Sequence, residues 1–282
     1  MNIQINGKDA DIRLEAEKTV GEILAGLESW LANTGYRLSG VELDGEAVSA
    51  GSIEESFRRE IDSVETLNIK TSSMQELIAE GLFCALQDID VYENTDFTEK
   101  QSFAEQWRES PEACLLAEQT PELHTWIIKT FSGEGPGLQG LRAIVEERLR
   151  ELQDPSGEIG RAEPLIAEVC SRLEDLPLDI QTGKDSRAAE TVNIFSNITE
   201  KVFRLCNVLK MEGFAVEEIR IDEISISEFL TEFSAALREL LAAYEQHDTV
   251  LVGDLAEYEM SPRLRGLYSA LLCISKPPVA PA

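Results

Sequence analysis

Gly135, Gly137 and Gly140 stand at the spacing GxGxxG, the pattern with which a strand–turn–helix unit cradles a pyrophosphate on backbone amides. Their flanks argue against that use. Pro136 removes one amide donor, and the next apolar stretch, from Leu165 to Cys170, has helical rather than strand periodicity. The glycines read as a connector between helices. Asp88, Asp90, Asn94, Asp96 and Glu99 match positions one, three, seven, nine and twelve of a calcium loop. Tyr92 then takes the fifth position, usually an oxygen ligand, and Glu93 the sixth, where the sharp turn calls for glycine. An acidic connector between helices gives the same letters. His124 and His247 lie in neither a Glu-x-x-His nor a His-Glu-x-x-His pattern, and His247, beside a turn between long helices, suits a helix C-terminal dipole. Serine-hydrolase elbows and GxxxxGK[ST] phosphate loops are missing from the sequence. No catalytic residue, cofactor or metal is therefore assigned. One scattered group remains: Asp254, Glu257, Tyr258 and Arg263, with Glu259 pointing elsewhere on a helix than its acidic neighbours.

The elements that would position such groups change character near residue 72. Before it, short alternating runs surround one amphipathic helix. Ile3 and Ile5 alternate with polar neighbours, Asn6-Gly7 offers a hairpin turn, and Ala10, Ile12 and Leu14 alternate again. Thr19 with Glu22 forms a capping box ahead of Val20, Ile23, Leu24, Leu27 and Leu31, which share one helix face, and Gly35 ends that helix. Val41 and Leu43 make a strand, Asp44-Gly45 a turn into a short strand at Ala47-Val48, and Ser52 with Glu55 one capped helical turn. Val64, Leu67 and Ile69 close the segment as a last strand. The expected core is Ile5, Ile12, Leu24, Leu27, Val41 and Leu67.

This order of strand, strand, helix, strand, short strand, strand resembles the ubiquitin-like β-grasp superfamily over residues 1–72. The superfamily includes protein modifiers and sulfur carriers, which present a free C-terminal Gly-Gly for adenylation, and many plain binding modules. Here Lys70-Thr71-Ser72-Ser73 occupies that place and the chain runs on, so the resemblance implies a binding module and not the carrier chemistry.

Residues 73–275 read as helices. Capping boxes stand at Ser73/Glu76, Thr98/Gln101 and Ser225/Glu228, and Ser110-Pro111, Thr120-Pro121 and Ser261-Pro262 each place a capping residue before a first-turn proline. Three long stripes follow. The first runs through Ala188, Val192, Phe195, Ile198, Val202, Leu205 and Leu209, and the second from Ile226 to Tyr244. The third runs from Val250 to Tyr258 and continues or restarts at Pro262 toward Leu272. They suit the core of one helical bundle, with a homodimer seam as the alternative. Residues 276–282, rich in proline, read as a loose tail. The fold class is thus an α+β β-grasp domain at 1–72 followed by an α-helical bundle domain at 73–275.

The 282 residues carry a formal net charge of −28, which repels phosphate backbones and anionic headgroups and attracts basic partners. Nucleic-acid binding and membrane insertion are not expected. The five cysteines form no CxxC pair and sit among apolar residues, so they read as buried reduced thiols. With no basic, apolar leader at the start, this implies a cytoplasmic protein. The function expected is that of a non-catalytic protein-interaction module: an adaptor, scaffold or assembly chaperone for a basic or amphipathic-helix partner. The alternative is an enzyme or small-ligand-binding protein with a site assembled from Asp254, Glu257, Tyr258 and Arg263.

Overall fold

The computed structural model describes residues 1–14, 16–31 and 34–275. The chain forms two compact units, Met1–Glu146 and Glu147–Ala282. The change from sheet to helix at residue 73 therefore falls inside the first unit, and the reading of 276–282 as a tail lies outside the described residues.

The first unit opens with a mixed sheet. Its strands are β1 (Asn2–Ile5), β2 (Lys8–Asp9), β3 (Tyr36–Leu43), β4 (Glu46–Ala47) and β5 (Thr66–Ser73), in the spatial order β2-β1-β5-β3-β4. β1 and β5 run parallel, Ile3 opposite Leu67, and the other pairs are antiparallel. Helix α1 (Val20–Leu31) begins at the expected box: the Glu22 amide donates to Thr19 Oγ1 at 3.3 Å and the Thr19 amide to Glu22 Oε2 at 3.4 Å. Its Val20, Ile23 and Leu24 pack with Ile3, Leu43, Val64, Leu67 and Ile69 as the core. The expected core is corrected in part. Ile12, Leu27 and Val41 are only half-buried against it, and Ile3 takes the place expected of Ile5, which sits half-exposed where β1 runs into the hairpin turn. β2 stops at Asp9, so the run through Ala10, Ile12 and Leu14 adds no strand. Ser52 precedes α2 (Ile53–Phe57) without a side-chain cap, because its hydroxyl bonds Ser49 instead.

From Ser73 the chain turns directly into α3 (Met74–Asn94), with both halves of the Ser73/Glu76 box formed. Then come α4 (Lys100–Arg108), α5 (Pro111–Gln119), α6 (Pro121–Phe131) and α7 (Gly137–Gln153), within which the division between units falls. Ser110 caps α5, whereas the Thr120 hydroxyl bonds back to the Leu116 carbonyl and leaves α6 uncapped. The Thr98/Gln101 box does not form: α4 starts at Lys100 after Glu99, with no side-chain cap.

In the second unit α8 (Pro155–Gln181) and α9 (Asp185–Met211) pack side by side, joined by α10 (Ile226–Glu245), α11 (Thr249–Asp254), a π-helical stretch at Leu255–Met260 and α12 (Ser261–Ser275). The whole first stripe, Ala188 to Leu209, is buried in this unit's own core. Between α9 and α10 lies a hairpin that the sequence reading missed, β6 (Arg220–Ile221) with β7 (Ile224–Ser225). Ser261 is not a cap but a buried contact: its hydroxyl donates to Glu174 Oε1 at 3.0 Å, and Tyr268 donates to the Ile159 carbonyl at 2.9 Å, so α12 is tied to α8 twice. α6, α8, α9 and α10 all end in the same left-handed Schellman turn. Gly133, Gly183 and Gly213 occupy the left-handed position in three of them, and His247 (φ 57°) in the fourth.

A buried charge network joins the second unit's part of α7 to α8 and α9. Glu151 and Glu158 are almost fully buried, and Lys201 reaches Glu147 Oε1 at 2.6 Å and Glu158 Oε2 at 2.8 Å. Burial pushes Glu151 up to about 7, with Glu147 and Glu158 adding repulsion against the pull of Arg148 and Lys201. Burial also works against the charge on Glu158, but hydrogen bonds from Lys201 and Arg161 outweigh it and hold that carboxyl below its ordinary value.

Of the five cysteines, Cys170 and Cys206 are buried, Cys84 is half-buried, and Cys114 and Cys273 are exposed, which corrects the reading of all five as buried. Each helical stripe has room for a thiol on its solvent side as well as its core side. Among the described residues no helix is long and apolar enough to cross a membrane.

Candidate functional site

Three departures from regular geometry converge on one cleft of the second unit. The first is the β6–β7 turn. Asp222 (φ 51°) and Glu223 (φ 72°) both hold left-handed backbone, as a type I′ hairpin requires, but neither is the glycine or asparagine that takes this conformation at least cost. The second is the π-helical stretch at Leu255–Met260, a rare geometry that recurs at functional sites. Its cause is in the sequence: Pro262 has no N–H to donate to the carbonyl four residues back, at Tyr258, so the regular ladder cannot pass through this point. The third is Arg263, held between two carboxylates with its guanidinium 5.9 Å above the Phe229 ring.

These features line a cleft of about 380 Å³ whose walls are Asp222, Ile224, Phe229, Glu232, Tyr258, Glu259, Pro262 and Arg263. Arg263 Nε donates to Glu259 Oε2 at 2.9 Å and Nη1 to Glu232 Oε2 at 3.2 Å. Burial works against the charge on Arg263, but those two hydrogen bonds outweigh it and raise its pKa above the ordinary value. Tyr258 stands out from the wall, 67% exposed. Its hydrogen bond to Glu257, together with that residue's charge, pushes the phenol's pKa up, so the hydroxyl keeps its proton. Asp222 forms no ion pair among the described residues.

Of the scattered group named from the sequence, the cleft brings together Tyr258 and Arg263. Asp254 and Glu257 lie off its lining, with Glu257 acting through Tyr258. Glu259, which the sequence set apart from Asp254 and Glu257, is on the lining, four residues before Arg263 and paired with it. Asp222, Phe229 and Glu232 were missed. The available signal was the alternation Ile219-x-Ile221 broken by Asp222-Glu223, a hairpin pattern without its usual turn residues.

The other sequence candidates are placed elsewhere. Gly135 lies between α6 and α7, Gly137 starts α7 and Gly140 lies inside it, so the three glycines join two helices rather than a strand and a helix. Asp88, Asp90 and Asn94 sit on α3, where Asp88 accepts from Trp107 Nε1 at 3.0 Å, Asp90 pairs with Arg142, and Asn94 donates to the Asp90 carbonyl at 2.8 Å. His124 stacks on Trp107 with ring centroids 5.7 Å apart, and burial, with Arg108 adding to it, lowers its pKa.

Residues 1–73 match the family described as "TP0873 N-terminal domain", a span that ends where β5 passes into α3. Residues 158–270 match "Domain of unknown function (DUF8042)". An "Uncharacterized protein" of Treponema pallidum (strain Nichols) is 22% identical over 272 residues, 96% of this chain and 96% of that one. No solved structure matches. All eight residues lining the cleft fall within the span matched by the domain of unknown function.

Proposed function

We propose that the protein is a non-catalytic interaction protein, an adaptor, scaffold or assembly chaperone, and that the cleft beside the π-helical stretch receives a basic side chain of a protein partner. One observation carries the reading: the cleft already binds a guanidinium of its own. Arg263 lies over Phe229 and between Glu232 and Glu259, which leaves Asp222 and the exposed Tyr258 face to meet a second cation. The chain's charge of −28 supports this by steering basic partners toward it.

The first seventy-three residues take the β-grasp fold in this reading. The central parallel β1–β5 pair, the order β2-β1-β5-β3-β4 and the one helix packed on the sheet support it. A module that runs on into α3 at Ser73 acts by recognition rather than by a free C-terminus. Free cysteines, two of them buried, suit a reducing cytoplasm.

The test is binding of the full chain to arginine- and lysine-rich peptides, compared with neutral peptides of equal length. Asp222→Asn and Tyr258→Ala should each weaken the basic peptides about fivefold or more, and association should slow as salt rises. Unchanged affinity in both variants with salt-insensitive association would sink the reading. A second reading, a small cationic ligand, is favoured by the cleft's size, which lies in the range of small-molecule sites. Mass spectrometry of molecules that co-purify with the native chain separates the two.

A further inference from the structure

The first unit carries a second cleft of opposite character. It has a volume of about 610 Å³ and lies between one face of α4, the end of α3 and the end of α6. Its floor is a fixed aromatic platform: Tyr92 and Phe131 stack with centroids 4.5 Å apart, and the Tyr92 hydroxyl donates to the Phe131 carbonyl at 2.7 Å. Phe97 stands at the rim, 91% exposed. Lys100 lies 4.7 Å above the Tyr92 ring, and Arg108, two turns further along α4, donates to the Ser132 hydroxyl at 3.4 Å. Neither forms an ion pair among the described residues, although acids outnumber bases 53 to 25 in this chain. The one acid on the lining, Glu105, accepts from Gln101 Nε2 at 3.2 Å. Thr98, whose place in the sequence suits a helix cap, does not cap α4 and instead lines the cleft. Two cations without ion-pair partners among the described residues, an aromatic floor and a hydroxyl released from capping are thus gathered, with Glu105, around a cavity in the size range of small-molecule sites.

We propose that this cleft binds a small organic anion with a flat apolar body, an aryl carboxylate or aryl phosphate, its ring against Tyr92, Phe131 and Phe97 and its anionic group between Lys100 and Arg108. The ring packs against exposed Phe97 and against the part of the Tyr92–Phe131 pair that lines the cleft, and because that pair is already fixed little ordering is lost there on binding. The anionic group exchanges water for two charge-assisted hydrogen bonds, the strongest kind available on this wall. The rest of the molecule, strongly acidic, repels anions in general, so selectivity comes from demanding both the ring and the charge.

Fluorine NMR titration of the full chain tests this, with para-fluorophenylacetate and para-fluorophenyl phosphate as probes and para-fluorobenzyl alcohol as their neutral counterpart. At least one anion should bind and the alcohol should bind about tenfold more weakly; comparing the two anions decides between carboxylate and phosphate. Lys100→Gln and Arg108→Gln should each weaken the anion about fivefold to tenfold, and Phe97→Ala should weaken it comparably. Phe97 and Arg108 are exposed, and Lys100 is half-buried over the Tyr92 ring, so a thermal midpoint within a few degrees of the wild type reports a folded chain. The proposal is overturned if neither anion binds at millimolar concentration, if the alcohol binds as tightly as the anions, or if the two cation variants bind unchanged.

Discussion

Arg204 grips Glu151 with two parallel hydrogen bonds, Nε to Oε2 at 3.0 Å and Nη2 to Oε1 at 3.0 Å, at a site where the carboxylate is 2% exposed. This fork–fork pairing joins α7 to α9 through a carboxyl that burial pushes up to about 7.

A pH dependence follows. Below the ordinary value of 4.5 both folded and unfolded chains hold the Glu151 proton, and its stabilisation is fully present. As pH rises from 4.5 to about 7 the unfolded chain releases the proton before the folded one, so stability falls across that window. Glu151→Gln should remove this slope. Denaturant unfolding of both chains at steps from pH 4.5 to 7 should show the wild-type advantage shrinking by on the order of 1–3 kcal/mol. His124, whose lowered pKa gives the opposite slope, is common to both chains and cancels in the difference. A constant difference across the window would contradict the expectation.

His247 occupies the left-handed position that Gly133, Gly183 and Gly213 fill at three other helix ends. A side chain there is strained, so His247→Gly should stabilise the second unit by about 0.5–1 kcal/mol, read as a raised unfolding midpoint. A lowered midpoint would mean that the imidazole makes a contact worth more than the strain.

Gly253 on α11 faces Pro177 inside α8: a Cβ on Gly253 would lie 3.1 Å from Pro177 Cβ and Cγ. The proline ring is tied to the backbone and cannot rotate aside. Overpacking should therefore exceed the roughly 1 kcal/mol of helix propensity that alanine brings, and Gly253→Ala should cost about 1 kcal/mol net. Gly160, exposed on α8 with nothing near its Cβ position, is the comparison, and Gly160→Ala should stabilise by about 0.5–1 kcal/mol. Thermal midpoints that move in the same direction for both would refute the packing argument.

In the sheet core, Leu67 is 0% exposed while Leu27 is only half-buried. Leu67→Ala should cost about 2–5 kcal/mol and Leu27→Ala about 1–2 kcal/mol, measured by chemical unfolding. Equal costs would mean that α1 seats on the sheet differently from the packing described.

Local order was legible in the sequence because it is written in neighbouring residues. Period-two alternation placed β1, β3 and β5, the three-four stripes placed α9 and α10, and Ser73, Ser110 and Ser225 marked helix starts whose caps form within three residues. What depended on distant partners was not legible. Ile3 rather than Ile5 became core because β1 is cut short by its turn, and Ser261 turned from a cap into a contact because α8 lies against it with Glu174 in reach. Both clefts are of this kind. Asp222, Glu232 and Arg263 are separated by long stretches of chain, as are Tyr92, Arg108 and Phe131, and side chains this far apart meet only when helices pack. The sequence by itself determined the elements, their caps and the charge. Only the tertiary structure decided which charged and aromatic groups face one another, since packing, not spacing, sets the distances between residues on different helices.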